Sequence, residues 1–241
     1  YAVDGHEADM IPYRALDSKE SLVSLILPDK LKKIGSYAFN NCYNLSGSLI
    51  IPEGVEGIGI AAFFECRSLT GELKLPSTLK YIGSVDGYIG YWDGAFKGCN
   101  FTCELKLPEG LEHIGMGSFH SCKNFYGKLQ LPEGLKSLGS QAFFGCENLT
   151  GDLIIPKSII NIPDQCFACT WLGGALVLHD NITTIGESAF EHTGLKGELN
   201  LPKNLEVISN YVFYNCDFSG ELVLPKNLHT IGDKAFAYNW R

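Results

Sequence analysis

A repeated proline pattern constrains the fold of this chain more than any other feature of its sequence. Each marker follows an apolar-x-apolar triplet, and the steps between markers are 24, 24, 32, 24, 24, 23, 23 and 23 residues. The markers are Pro28, Pro52, Pro76, Pro108, Pro132, Pro156, His179 in place of a proline, Pro202 and Pro225. A fixed period of this size predicts a solenoid, in which each repeat forms one coil and the stacked coils share one core.

Other residue columns keep the same phase as the prolines. An aliphatic residue follows each marker by three positions, and then come an Ile-Gly pair and an Ala-Phe pair. The phenylalanine column contains Phe39, Phe63, Phe96, Phe119, Phe143, Phe167, Phe190, Phe213 and Phe236. A cysteine follows in most coils. The unit reads G-x-L-x-L-P-x-x-L-x-x-I-G-x-x-A-F-x-x-C-x-x-L-x, and about nine coils of 23 to 24 residues are present.

The spacing within the unit predicts its local structure. The apolar-x-apolar triplet, called the LxL segment below, has the period of a strand, and we expect these segments to stack into a parallel sheet on one face. Proline ends each segment because it has no N–H for a neighbouring strand. The Ile-Gly pair predicts a second, shorter strand. The Ala-Phe pair predicts a turn or a single 3₁₀ turn, since so short a piece cannot hold a stable helix. The predicted class is therefore mainly β with short 3₁₀ turns.

The pattern I-G-x-x-A-F-x-x-C followed by L-x-L-P resembles the BspA-type leucine-rich repeat over residues 11–241. This resemblance implies a right-handed leucine-rich-repeat solenoid. It also implies an extracellular or bacterial cell-surface location, because members of that family are exported or surface-attached proteins, many of them bacterial. Several are implicated in adhesion to host proteins or to other cells, so the resemblance implies a protein partner.

The repeat phase also predicts the domain organisation. Residues 1–10 have no repeat phase, and we interpret them as a possible remnant of an N-terminal cap. Residues 11–241 form a single predicted solenoid. The third coil carries an insertion at 84–93, which we expect to project as a loop, because insertions in solenoids leave the coil on one face.

Composition and charge exclude several classes of function. The formal net charge is −8, so the chain lacks the basic surface that nucleic-acid binding requires. No apolar run approaches the roughly 18 residues of a membrane-spanning helix, so we expect no membrane insertion by this segment. The chain begins without a signal peptide, and the expected location therefore depends on the family resemblance alone.

The nine cysteines are interpreted as packed, free thiols. Seven of them are assigned to one repeat column: Cys42, Cys66, Cys99, Cys122, Cys146, Cys169 and Cys216. Equivalent side chains in a stack point in parallel, so their Cβ atoms do not face one another as a disulfide requires. Cys166-x-x-Cys169 matches half of a redox or zinc motif, but a second ligand pair is missing.

No reaction signature accompanies the repeat. The sequence lacks the zincin, nucleophile-elbow, Walker A and EF-hand patterns, and its six histidines stand at unrelated repeat phases. We therefore expect no enzyme activity, no cofactor and no metal site. A fold by itself excludes no function, so this expectation depends on the residues alone.

The insertion supplies the first candidate binding residues. Tyr88, Tyr91 and Trp92 lie in a glycine-rich stretch, and tyrosine and tryptophan are favoured at recognition sites. These aromatic side chains are suited to a protein partner or to stacking on sugar rings. The alternative is that the loop folds back over exposed core.

The LxL segments supply the second set of candidates. Since side chains alternate along a strand, Glu72, Lys74, Glu104 and Lys106 should point outward from adjacent coils. Ile154 and Val177 should form a small apolar spot farther along the same face.

Three functions remain open at this point. The first is a non-enzymatic cell-surface or secreted module that binds a protein through the sheet face and the 84–93 loop. The second is a carbohydrate-binding module that uses the loop aromatics. The third is a structural spacer of a larger surface protein, suggested by the absence of distinct caps at the two ends of the repeat.

Overall fold

The computed structural model describes residues 9–83 and 93–239, and within them the chain forms stacked coils of parallel strands without a helix. The strands are β1 (Met10–Ile11), β2 (Lys33–Ile34), β3 (Leu49–Ile50), β4 (Gly57–Ile58), β5 (Leu73–Lys74), β6 (Tyr81–Ile82), β7 (His113–Ile114), β8 (Gly127–Lys128), β9 (Ser137–Leu138), β10 (Leu149–Thr150), β11 (Leu153–Ile154), β12 (Asn161–Ile162), β13 (Leu176–Val177), β14 (Thr184–Ile185), β15 (Lys196–Glu198), β16 (Val207–Ile208), β17 (Asp217–Ser219) and β18 (Thr230–Ile231). The predicted solenoid of about nine coils is confirmed.

The longest sheets are formed by the strands at the Ile-Gly position of the repeat, which we call the x-Ile strands. Strands β1-β2-β4-β6-β7-β9 make a six-stranded sheet, and β12-β14-β16-β18 make a four-stranded one. The register places isoleucine beside isoleucine, as for Ile34 and Ile58. The LxL segments pair only as β3 with β5 and β11 with β13. The expectation that the LxL segments form the continuous sheet is therefore wrong.

The glycine before the second LxL segment of each neighbouring pair accounts for this difference, because Gly71 and Gly174, before β5 and β13, do not have a positive φ. In the two paired cases, a short acceptor side chain receives the next coil's amide: Ser48 Oγ from Glu72 at 3.0 Å, and Asp152 Oδ1 from Ala175 at 2.8 Å. Where the glycine of the following coil instead has a positive φ, as Gly151 (+89°) and Gly220 (+83°) do, the backbone there is left-handed, a conformation that glycine adopts readily. Pairing then shifts to residues before the LxL segment, as in β8 with β10.

The Ala-Phe segment is a run of overlapping turns, and no 3₁₀ helix occurs in residues 9–83 or 93–239. Along this segment the amides alternate: one donates to a carbonyl of its own coil, and the next donates to a carbonyl of the following coil. Thus Ala38 N donates to Gly35 O at 3.3 Å, whereas Phe39 N donates to Ala62 O at 2.8 Å. Tyr37 and Asn41 flank this piece with φ values of +59° and +56°. Of the two predicted alternatives, turns are therefore confirmed.

The phenylalanine column forms one stacked array through the core. Each ring lies 5.0 to 5.8 Å from the next, with interplanar angles between 3° and 18°. Its rings from Phe39 to Phe213 are fully buried. Leucine and isoleucine columns pack around them in one hydrophobic cluster. The coil spacing is therefore fixed by ring stacking as well as by backbone hydrogen bonds.

The cysteine column is held by thiol hydrogen bonds to the preceding coil. Cys122 Sγ donates to Phe96 O at 3.0 Å, and Cys146 Sγ donates to Phe119 O at 3.1 Å. The same bond is made by Cys66, Cys99 and Cys216 to Phe39, Phe63 and Phe190. All nine cysteines are free, as the sequence predicts.

The assignment of Cys169 to this column is wrong. The column position three residues after Phe167 is Thr170, which is completely buried and donates its hydroxyl to Phe167 O at 2.8 Å. Cys169 is half-buried and has a left-handed φ of +56°. The equivalent positions in other coils include Gly98 and Gly145, so Cys169 stands at a turn position rather than in the core.

Burial should make most of these thiols unreactive in the folded chain. Burial raises the pKa of Cys216 to about 12 and also raises the pKa of the half-buried Cys103 and Cys169. Since the thiolate is the reactive form, we expect a thiol reagent at pH 8 to modify at most two of the nine cysteines within minutes.

Unfolding in guanidinium supplies the control, because it should expose all nine thiols. A Cys103→Ser, Cys169→Ser variant should then show almost no native labelling. Fast labelling of four or more thiols in the folded chain would contradict the packed column.

Candidate functional site

The outward residues of neighbouring LxL segments form a contiguous surface, which we call the LxL face. It comprises Glu72, Lys74, Glu104, Lys106, Lys128, Gln130, Ile154 and Val177, all of them exposed. The leucines between them, such as Leu73 and Leu105, are each 4% exposed and anchor the segments to the core. The predicted alternation is confirmed.

The charged centre of this face has few internal partners. The shortest ion pair there joins Lys106 Nζ to Glu104 Oε2 at 3.9 Å, with the two side chains 82% and 58% exposed. By contrast, Lys–Glu pairs from neighbouring coils neutralise each other beside the x-Ile strands, as in Lys80 with Glu56 at 3.4 Å. The charges of the LxL face therefore remain open to an incoming partner.

Two open grooves meet at Glu104 and Lys106. One, of about 520 Å³, lies between this coil and the coil of Glu72 and Lys74. The other, of about 480 Å³, lies between this coil and the coil of Lys128 and Gln130. Sequence reasoning missed these grooves. The signal was present: long side chains at Glu104 and Lys128 occupy the position where Ser48 and Asp152 hold the paired coils together.

The apolar spot lies beyond the charged centre. Ile154 and Val177 stand directly opposite each other in the register of β11 and β13. They are 54% and 46% exposed, which is high for branched aliphatic side chains. The structure therefore places these two residues together, as the sequence predicts.

The aromatic residues of the insertion, Tyr88, Tyr91 and Trp92, lie outside the described residues. The last position of the insertion, Asp93, is described. Its backbone carbonyl accepts a hydrogen bond from Ala61 N at 3.0 Å, and its carboxylate accepts one from the Tyr37 hydroxyl. These contacts anchor that end of the insertion to the Ala-Phe turns of the two preceding coils.

The Cys103 thiol and the His120 imidazole offer little reactive chemistry. Burial raises the pKa of the Cys103 thiol, which lines the larger groove and so remains protonated. Burial lowers the pKa of His120 to about 4, and that ring stacks on Phe144 with centroids 4.8 Å apart. Among residues 9–83 and 93–239, no three His, Cys, Asp or Glu side chains are grouped to hold a metal ion. The same residues include no helix long and apolar enough to span a bilayer.

Comparison with protein families identifies the repeat. The model of the BspA-type leucine-rich repeat region matches in six copies, over residues 9–85, 92–219 and 174–240. This chain belongs to the BspA-type leucine-rich repeat family. That type of repeat is typical of protein-interaction modules, and its fold generally serves as a non-enzymatic binding scaffold.

Solved structures of bacterial leucine-rich repeat proteins resemble the chain at low sequence identity. A protein from Bacteroides ovatus ATCC 8483 is 22% identical, with 95% of this chain and 79% of that chain covered and a TM-score of 0.42. A T. pallidum leucine-rich repeat protein is 25% identical, with 76% and 65% covered and a TM-score of 0.45. A leucine-rich cell surface protein from Faecalibacterium prausnitzii A2-165 is 18% identical, with 95% and 74% covered and a TM-score of 0.47. A comparison with functionally characterised proteins found no match.

Proposed function

We propose that this BspA-type repeat chain is a non-enzymatic recognition module, secreted or displayed on a cell surface. It binds a protein partner through the LxL face, with the 84–93 loop as an additional contact. The observation that carries this proposal is the exposed charged centre around Glu104 and Lys106, which the coils leave largely unpaired. The surface location and the adhesive role go beyond the family membership and are part of this proposal.

The composition of the LxL face suits a protein interface. Charged groups at an interface guide the approach of a partner and exclude wrong partners, whereas a buried apolar centre supplies most of the affinity. Here Glu72, Lys74 and the Glu104–Lys106 pair supply the charges. The Ile154–Val177 spot supplies apolar area on the same face.

Charge reversal on the LxL face tests this proposal. The variant carries Glu72→Lys, Lys74→Glu, Glu104→Lys and Lys106→Glu, and it is screened with the wild type against arrays of extracellular-matrix and cell-surface proteins. We expect wild-type binding to at least one protein and at least tenfold weaker binding by the variant. The folded core should be unaffected, because these side chains point to solvent.

A matched control reverses charges elsewhere on the solenoid. Glu112→Lys with Lys136→Glu swaps a Lys–Glu pair beside the x-Ile strands and should bind like the wild type. A second variant replaces residues 85–92 with a short Gly-Ser link and measures the contribution of the loop. Equal affinity of wild type and charge-reversed chain for an identified partner would exclude the LxL face.

A further inference from the structure

The charged centre of the LxL face has a pattern that repeats from one coil to the next. Glu72 and Glu104 stand at the first outward position of their LxL segments, and Lys74 and Lys106 stand at the second. All four side chains are exposed, and Glu72 and Lys74 have no ion pair with any described residue. An acidic column and a basic column therefore run side by side along the solenoid, two residues or about 6.6–6.8 Å apart.

Two copies of the chain that meet through this face can be related by a two-fold axis in two simple ways. With the axis along the strands, Glu72 opposes Glu104 of the second copy, so like charges meet and repel. With the axis along the solenoid, each coil opposes its own copy, and Glu72 faces Lys74 of the second copy. A two-fold interface must be self-complementary, so the charges select the second arrangement, in which the two solenoids are parallel.

The residues beside the charges fit the same arrangement. The axis would pass over Leu73, and residues at equal distances on either side of it would oppose each other. Gly71, which has no side chain, would oppose Leu75, and in the next coil the half-buried Cys103 would oppose Leu107. Leu75 and Leu107 are only partly buried within one chain. A facing copy therefore covers apolar atoms of these leucines without a clash of large side chains.

The neighbouring coils set the limit of the contact. Lys128 would oppose the neutral Gln130, which brings no like charges together. One coil further, the carboxylate of Asp152 would oppose the apolar Ile154 and lose water to it, which is unfavourable. The contact should therefore be centred on the two coils with a Glu-x-Lys segment and end before residue 152.

We propose that a second copy of this chain binds to the LxL face, with the two solenoids parallel. Glu72 pairs with Lys74 of the other copy, and Glu104 pairs with Lys106 of the other copy. This inference rests on the proposed function, because it takes the LxL face as a protein-binding surface and identifies one partner for it. Self-association occupies the charges that any other partner needs, so the two kinds of binding compete.

Sedimentation velocity of the full chain at rising concentration tests the association. We expect a reversible dimer at about 0.1 mM chain in low salt. The association should weaken at least tenfold in about 0.5 M NaCl, because salt screens exposed charges. A chain that stays monomeric at that concentration in low salt would overturn the proposal.

Two variants with charges of one sign test the pairing. Glu72→Lys with Glu104→Lys makes both columns basic, and Lys74→Glu with Lys106→Glu makes both columns acidic. Each variant alone should self-associate at least tenfold more weakly than the wild type, whereas an equimolar mixture should form a one-to-one dimer. A single variant that dimerises like the wild type, or a mixture that stays monomeric, would exclude this pairing.

Matched controls make equal changes of charge beside the x-Ile strands. They are Glu56→Lys with Glu112→Lys, and Lys80→Glu with Lys136→Glu. Each control should dimerise like the wild type, and mixing the two should add nothing. If the controls lose self-association as the face variants do, net charge rather than the LxL face governs it, and the proposal is wrong.

Thiol labelling locates the contact independently. Cys103 should react more slowly at about 0.1 mM chain than at about 1 µM, because Leu107 of the other copy covers it, whereas Cys169 should react equally at both. A dimer that leaves the labelling of Cys103 unchanged would place the contact elsewhere on the solenoid.

The four-site charge reversal separates this inference from the proposed function. It exchanges the acidic and basic columns but keeps them complementary, so the reversed chain should dimerise like the wild type while it loses other protein partners. A reversed chain that stays monomeric but loses those partners overturns only the dimer. A reversed chain that dimerises but still binds an identified partner as the wild type does overturns only the role of the LxL face in binding that partner.

Discussion

Replacing Phe143 with alanine should lower the free energy of unfolding by about 4 kcal/mol, the cost of a large cavity in a packed core. Phe143 is completely buried and stacks between Phe119 at 5.5 Å and Phe167 at 5.6 Å, measured between ring centroids. Its removal leaves both neighbouring rings without a partner on one side. Chemical denaturation followed by circular dichroism measures the loss.

Two control variants distinguish the effect of losing a ring from the stack from the effect of losing buried apolar area in general. Phe143→Leu keeps most of the volume and should cost about 1.5 kcal/mol or less. Phe144→Ala removes the adjacent ring, which is only half-buried and contacts His120, and should cost far less than Phe143→Ala. Equal losses for Phe143→Ala and Phe144→Ala would contradict the view that the column carries the core.

Gly139→Ala should lower the free energy of unfolding by about 3 kcal/mol, since the added methyl can be accommodated only by moving backbone. A Cβ at Gly139 would lie 2.5 Å from the carbonyl carbon of Gly115 and 2.6 Å from the Cα of Met116. Backbone cannot rotate away as a side chain does, so the two coils must separate. Thermal unfolding should show a clearly lower Tm.

The same coil offers a matched control in Gly134. A Cβ there would approach no heavy atom more closely than Glu109 O at 3.6 Å, and the residue is exposed. Gly134→Ala should therefore change the free energy of unfolding by no more than about 0.5 kcal/mol. A Gly139→Ala variant as stable as Gly134→Ala would show that the coils are less closely stacked than the structure indicates.

The column pattern was sufficient to predict the coil count and the buried residues. A phenylalanine at the same position of every coil predicts a stack along the solenoid, and Phe39 to Phe236 form it. The family could also be recognised from the Ile-Gly and Ala-Phe pairs, and the family model matches over residues 9–85, 92–219 and 174–240.

The pairing of the LxL segments could not be predicted in the same way. Both the LxL segment and the Ile-Gly piece have strand-like spacing, and their hydrogen bonds depend on whether single glycines take a positive φ, as Gly151 does and Gly174 does not. A positive φ is compatible with glycine but is not encoded by it. The assignment of Cys169 to the cysteine column was a counting error that the sequence itself could have excluded. The residue three positions after Phe167 is Thr170.

The candidate site was predicted in its residues but not in its shape. Alternation along a strand was enough to place Glu72, Lys74, Glu104 and Lys106 on one face. The grooves beside them lie where the LxL segments of neighbouring coils do not pair as strands, and the long side chains at Glu104 and Lys128 are the sequence signal for this. The contribution of Tyr88, Tyr91 and Trp92 stays a prediction.

Hydrogen–deuterium exchange of the chain with and without the protein partner found in the screen tests the central claim most directly. We predict slower exchange in peptides that cover residues 72–76, 104–109 and 127–132, and unchanged exchange in peptides that cover the x-Ile strands β2, β4, β7 and β9. Protection confined to the x-Ile strands, with the LxL segments unchanged, would contradict recognition through the LxL face.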